Sequence, residues 1–281
     1  MASRTEKEGI QIMFKKIMLA VIILPGILFY ARESFGLVMG PARFEVSLPP
    51  GEIAEGDYYV QNDTNESAHI VVEPENWFKE AYDYGKLDIK DWVEFDAYEF
   101  DLKPKEIKKL RLRIKVPTDV KGELVAQIFF TSTVLREDGQ PVEGIKARVG
   151  GVLYVAIKGT EIINAEIRNI AVSKELNEGK EIIKIEVNVK NKGNVHIRPE
   201  GLVTIEDKAG GKLIELALTS GQPVLPAQEI GHYALWDKPE LKAGKYKVSA
   251  AISYGKELNM EKTAVLEKVF EVDKDGKVIV K

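Results

Sequence analysis

The passage from Trp92 to Thr131, WVEFDAYEFDLKPKEIKKLRLRIKVPTDVKGELVAQIFFT, constrains the fold more than any other part of the chain. Leu110, Leu112, Ile114 and Val116 alternate with Arg111, Arg113 and Lys115, so an extended segment would carry one apolar and one charged face. A helix would scatter the same residues around its circumference. The turn Lys103-Pro104-Lys105-Glu106 leads into this segment, while Val116-Pro117 and Gly122 lead out of it to a further apolar strand. The passage predicts one half of a β-sandwich and offers no obvious place for catalysis.

The same grammar runs on both sides of it. Strands are predicted at 42–48, 56–61, 68–73, 98–102, 108–116, 122–133 and 148–158, separated by turn residues such as Pro49-Pro50-Gly51 and Glu137-Asp138-Gly139. A second set follows at 162–173, 180–191, 201–207, 213–218, 228–236, 244–254 and 262–272. Lys190 to Asn194, Lys208 to Gly211 and Asp273 to Gly276 supply its turns. At 281 residues the chain is long enough for two such units and too long for one. The fold class is therefore all-β: two immunoglobulin-like β-sandwich domains behind an N-terminal hydrophobic segment. The expected division is 1–36 as signal peptide or anchor, 37–159 and 160–273 as the two sandwiches, and 274–281 as a C-terminal tail.

Lys15 and Lys16 ahead of the apolar run from Ile17 to Ala31 have the form of a secretory signal. Cleavage after Gly36 fits the small residues there. Retention as an anchor is the alternative, weakened by the run's length and by Pro25-Gly26. Either way the sandwiches are expected outside the cytoplasm, periplasmic or at the cell surface, with membrane contact only through an uncleaved N-terminus.

A net charge of −4, from 40 basic and 44 acidic residues that are interspersed, sets up no field for nucleic acid. Cysteine is absent, which excludes disulfides, thiolate nucleophiles and thiolate metal sites. The three histidines, His69, His196 and His232, lack metal-ligand spacing, and Asp273-Lys274-Asp275-Gly276 lacks the remaining ligands of a calcium loop. No phosphate loop or nucleophile elbow is present. No cofactor, no metal and no catalytic residue is expected.

Eight aromatic residues crowd the stretch from Trp77 to Phe100. Trp92, Phe95 and Phe100 are expected to plug the core, whereas Tyr82 and Tyr84, in a loop containing Gly85, are the better candidates for exposure and glycan contact. Asp88, Asp91, Glu94 and Asp96 lie nearby, but their spacing selects no pair for glycoside cleavage and reads as a solvated face.

The first sandwich also carries a resemblance. Gly51-Glu52, Val60-Gln61-Asn62, Glu73-Pro74-Glu75-Asn76-Trp77, Trp92 to Glu106, Val116-Pro117, Gly122-Glu123 and Arg148 to Gly159 resemble the first domain of periplasmic pilus-assembly chaperones, PapD-like proteins. More distantly, the turn-strand-Pro-Gly passage is similar to surface proteins that interact with WxL proteins and bind cell-wall material. Asn191 to Pro199 and Gly244-Lys245-Tyr246 are similar to generic bacterial surface Ig-like modules.

The chaperone resemblance implies capture of a partner polypeptide by β-strand addition, and a pair of basic residues that hold the partner's terminal carboxylate. Val46 stands at the first basic position here and Val152 or its neighbour at the second, with Arg43 and Arg148 nearby as substitutes. The expected edge is 147–156, presenting Val149, Val152 and Tyr154. The expected partner is another secreted or surface polypeptide, pilin-like or wall-associated. A structural or wall-glycan-binding surface module is the alternative.

Overall fold

In the computed structural model the described residues are 36–77, 82, 87–219, 221–237, 241–256 and 259–280. The expected signal segment, apart from Gly36, and Tyr84 lie outside them. The alternation around Leu110 becomes strand β7 (Ile107–Lys115), in which Leu110, Leu112 and Ile114 are buried while Lys109, Arg111 and Arg113 face water. The other strands of the first unit are β1 (Leu37–Gly40), β2 (Arg43–Leu48), β3 (Ile53–Asn62), β4 (Ala68–Asn76), β5 (Val93–Phe95), β6 (Glu99–Leu102), β8 (Glu123–Leu135) and β9 (Pro141–Ile157).

They form two sheets, ordered β1-β3-β7-β5 and β2-β9-β8-β4-β6. The inner faces meet over Tyr58, Trp92, Leu112, Phe130 and Leu153, all essentially inaccessible. Trp92 and Phe95 are core residues as expected, and Phe100 packs half-buried against them. The first two described strands belong to different sheets: β1 pairs antiparallel with β3, the chain crosses at Gly40-Pro41-Ala42, and β2 then pairs parallel with the end of β9.

The second unit contains β10 (Ala165–Asn177), β11 (Lys180–Asn191), β12 (Glu200–Glu206), β13 (Lys212–Ala217), β14 (Glu229–Asp237), β15 (Gly244–Lys256), β16 (Asn259–Val272) and β17 (Val278–Val280). Its sheets are ordered β10-β11-β14 and β13-β12-β15-β16-β17, closed over Ile185, Val187, Val203, Val248 and Phe270. The molecule is thus two Ig-like β-sandwiches.

Three of the described strands were not expected, and β9 begins at Pro141 rather than 148. β1 and β5 are too short to show a periodic pattern, and Val278–Val280, expected as a tail, returns on β16 as β17 through the Asp273 hairpin, where Asp273 accepts from the Asp275 and Lys277 amides.

Each sandwich is tied at one end by a buried asparagine. Asn62, 1% exposed, donates through Nδ2 to the carbonyls of Glu66, Leu102 and Lys103, joining the end of β3 to the turn after β6. Its Oδ1 accepts from the Thr64 amide and hydroxyl. Asn191 repeats the device with the carbonyls of Val195 and Val224 and the amide of Gly193. Removing such a side chain strands several buried backbone groups at once. Asn62→Ala is therefore expected to lower unfolding stability by about 2–4 kcal/mol, read from urea titration, whereas Asn65→Ala on the adjoining turn should change it by less than about 0.5 kcal/mol.

Candidate functional site

Strand β9 is paired on one side along nearly its whole length and on the other along little of it. Of its seventeen residues, only Val152–Ile157 face β2, while β8 runs beside it from Lys146 to Ala156 and again at Pro141. Among the described residues, no strand pairs with the second side of 141–151. The direction of each amide follows from three bonds: the amides of Val152 and Lys158 reach Ala42 and Leu48 on the β2 side, and that of Ile157 reaches Gly122 on the β8 side. Because backbone groups alternate along a strand, the N–H and C=O of Lys146, Arg148 and Gly150 point to the open side. No register shift interrupts that run. Ala147 and Val149 turn inward and pack half-buried against the core.

The expected edge at 147–156 is therefore corrected. β2 caps its second half, and Tyr154 is 2% exposed and faces the second sandwich rather than a partner. The open stretch lies on the N-terminal side, at 141–151. Val149 belongs to it, and Val152 stands at the first capped rung opposite Arg43.

Nor do the two candidate arginines converge. Arg43 lies against Glu45 at 3.1 Å. Arg148 lies 3.7 Å over the Phe129 ring and pairs with Glu73 and Glu75. Four residues of β9 separate Arg148 from the Val152 rung that Arg43 faces, about 13 Å along an extended strand. Val46 points into the first core.

Where β2, β8 and β9 meet the second sandwich, a polar cluster fills the junction. Glu45, Tyr154, Val125 and Trp77 follow one another across the strands, since Glu45 and Val125 both register with Tyr154 and the Trp77 amide donates to the Val125 carbonyl. Tyr82 also belongs here and not at the surface: it is 6% exposed, its ring packs with Trp77, Val125, Tyr154 and Leu225, and its hydroxyl donates to Glu123 at 3.0 Å. That burial overturns its expected exposure for glycan contact.

The Glu123 carboxylate, 3% exposed, also accepts from the His196 amide at 3.0 Å and from His196 Nδ1 at 2.8 Å. The His196 ring stacks on Tyr154 with centroids 4.0 Å apart. Its Nε2 contacts Arg198 Nη1, which lies 3.2 Å from Glu45. Burial pushes the Tyr154 hydroxyl up to about 12, so it stays protonated, although nearby Arg198 pulls the other way.

The linker is fastened in the same place. The Gly122 amide donates to Thr160 Oγ1, while Asn194 donates to the Thr160 carbonyl and accepts from the Ile162 amide. Gly122 has φ +78°, and a Cβ there would stand 2.5 Å from the Asn194 carbonyl oxygen, so only glycine fits.

The segment Asn191 to Arg198, of which the sequence shows only the turn Lys190 to Asn194, is thus the clasp between the sandwiches. The signal that could have found it is the placing of polar His196 between Val195 and Ile197, both 1% exposed, and of Glu123 at the mouth of an apolar strand. No group of three or more acidic or histidine side chains among the described residues is arranged to hold a metal.

No family model and no curated protein matches the chain. Solved structures similar to it are fimbrial chaperones. They include the class 5 fimbriae chaperone CfaA (TM-score 0.46, 15% identity, covering 83% of this chain and 98% of that one). The Escherichia coli chaperone DraB gives 0.41 and 13%, covering 85% and 98%. The Salmonella enterica SafA pilin in complex with the SafB chaperone gives 0.41 and 10%, covering 80% and 92%.

The clasp leads to a direct expectation. Glu123→Ala would leave the Tyr82 hydroxyl and two His196 N–H groups without their acceptor, and should lower stability by about 3 kcal/mol or more in chemical denaturation. Glu137→Ala, in the exposed hairpin before β9, should be neutral.

Proposed function

We propose that this chain is an extracytoplasmic, non-enzymatic binding protein that captures an extended segment of another secreted polypeptide through the open side of β9. The observation that carries the reading is the row of outward backbone groups at Lys146, Arg148 and Gly150, beside a partner strand that stops at Val152. An incoming strand would continue the line of β2 and complete a ladder that the chain leaves unfinished. Its inward side chains would lie next to Ala147 and Val149 and add apolar contacts to the first core.

The exposed side of β16 is treated differently. β16 meets β17 only at Phe270–Val272, and on the core-facing side of its unpaired stretch it places Lys268, which reaches Asn169, and Lys262, which reaches the Ile163 carbonyl. Inward-pointing charge of that kind blocks strand addition. β9 carries none at Ala147 or Val149.

The sequence resemblance to pilus-assembly chaperones makes a pilin-like subunit the first partner to try. A carboxylate clamp of the Arg43–Arg148 type is not part of the proposal, because both guanidinium groups already meet carboxylates and lie apart.

Replacing an outward amide tests the reading without touching the β8 ladder. Arg148→Pro removes one outward N–H, so capture of a pilin-like subunit should weaken about tenfold or more, while Arg148→Ala should leave it within about threefold. Both variants should unfold cooperatively by circular dichroism. Equal binding by the proline and alanine variants would remove main-chain pairing as the mechanism.

A further inference from the structure

The hydrogen-bond pattern around His196 fixes its tautomer. Nδ1 faces the Glu123 carboxylate and must donate, whereas Nε2 faces the Arg198 guanidinium, which can only donate, and so must accept. The neutral ring therefore carries its proton on Nδ1, against the preference of a free imidazole for Nε2–H. A second observation lies 3.8 Å from Nε2: Glu45 Oε1, buried, in charge contact with Arg198 and Arg43 but without an aligned hydrogen bond of its own.

We propose that His196 is a proton-operated element of the clasp between the two sandwiches. When the ring takes a second proton from solvent, Nε2 becomes a donor and can no longer accept from Arg198. The acceptor at hand is then Glu45 Oε1, 3.8 Å away. The imidazolium so formed bridges two carboxylates of the first sandwich, Glu123 on β8 and Glu45 on β2, while Arg198 moves off Nε2. The second sandwich carries both His196 and Arg198, so the exchange of partners shifts its seat on the first.

The groups facing the ring from the packed elements are Glu123 from β8, Glu45 and Arg43 from β2, Tyr154 from β9, Tyr82 from the stretch after β4, and Arg198 from its own segment. Tyr154 keeps stacking on the ring in either state. The ring is only 10% exposed, so the interactions act with little screening from water.

Two measurements on the intact protein decide the matter. Long-range proton–nitrogen correlation spectra of the wild type should show His196 as the Nδ1–H tautomer at the higher pH and as the imidazolium after acidification. Residual dipolar couplings should report a changed angle between the sandwiches over the same interval. That change should be absent from His196→Asn, which keeps a donor toward Glu123 but does not titrate, and strongly reduced in Glu45→Gln. An Nε2–H tautomer at the higher pH would overturn the proposal, and so would an unchanged angle while the ring titrates, or a change that persists in His196→Asn. The wild-type spectra stand even where a variant fails to fold.

Discussion

The parallel pairing of β2 with the end of β9 decides most of what this molecule can do. Because β1 and β2 belong to opposite sheets, the chain spends its first described strands closing one edge at β3 and only part of another at β9. The six rungs from Arg43–Val152 to Leu48–Ile157 hold the far end of β9 in place and bring Glu45 beside Tyr154. N-terminal to Val152 the strand continues with no described strand paired on that side. A single pairing thus ends a ladder where a partner strand can resume it, and builds the floor on which the second sandwich sits.

The open edge and the clasp share β9 but use opposite ends. At the open end, the outward groups are backbone and the inward side chains are small or apolar, a surface that reads extended polypeptide with little regard for particular side chains. At the closed end, Tyr154 carries the histidine and lies under Arg198, and the junction is polar and buried. Burying charge at a junction is costly unless the partners are well placed. Glu123 satisfies that condition by accepting from Tyr82 and twice from His196, which makes the junction specific in angle as well as stable.

How much of this was legible in the sequence depends on how local the determining contacts are. The alternation in β7 and β11 needs only neighbouring residues, and both strands were found within a residue of their ends. β1 and β5 span four and three residues, too few for a period to emerge. Tyr82 sits in a polar, glycine-containing stretch that reads as exposed, and its burial rests on Glu123, 41 positions away. The Glu123–His196 pairing spans 73 positions, beyond any local pattern. An edge at β9 is what the chaperone resemblance implies, with Val149, Val152 and Tyr154 offering an apolar face, but which half is covered depends on how far β2 runs, and the sequence of β9 alone does not carry that information.

Amide hydrogen exchange on the isolated protein tests the central claim most directly. A half-paired β9 requires that the amides of Lys146, Arg148 and Gly150 exchange rapidly while those of Ala147, Val149 and Gly151 are protected by β8, an alternation that no other arrangement of this strand produces. Addition of a bound strand should then protect the first set. Uniform protection across residues 146–151 in the free protein would mean that the edge is already covered, and would contradict the account.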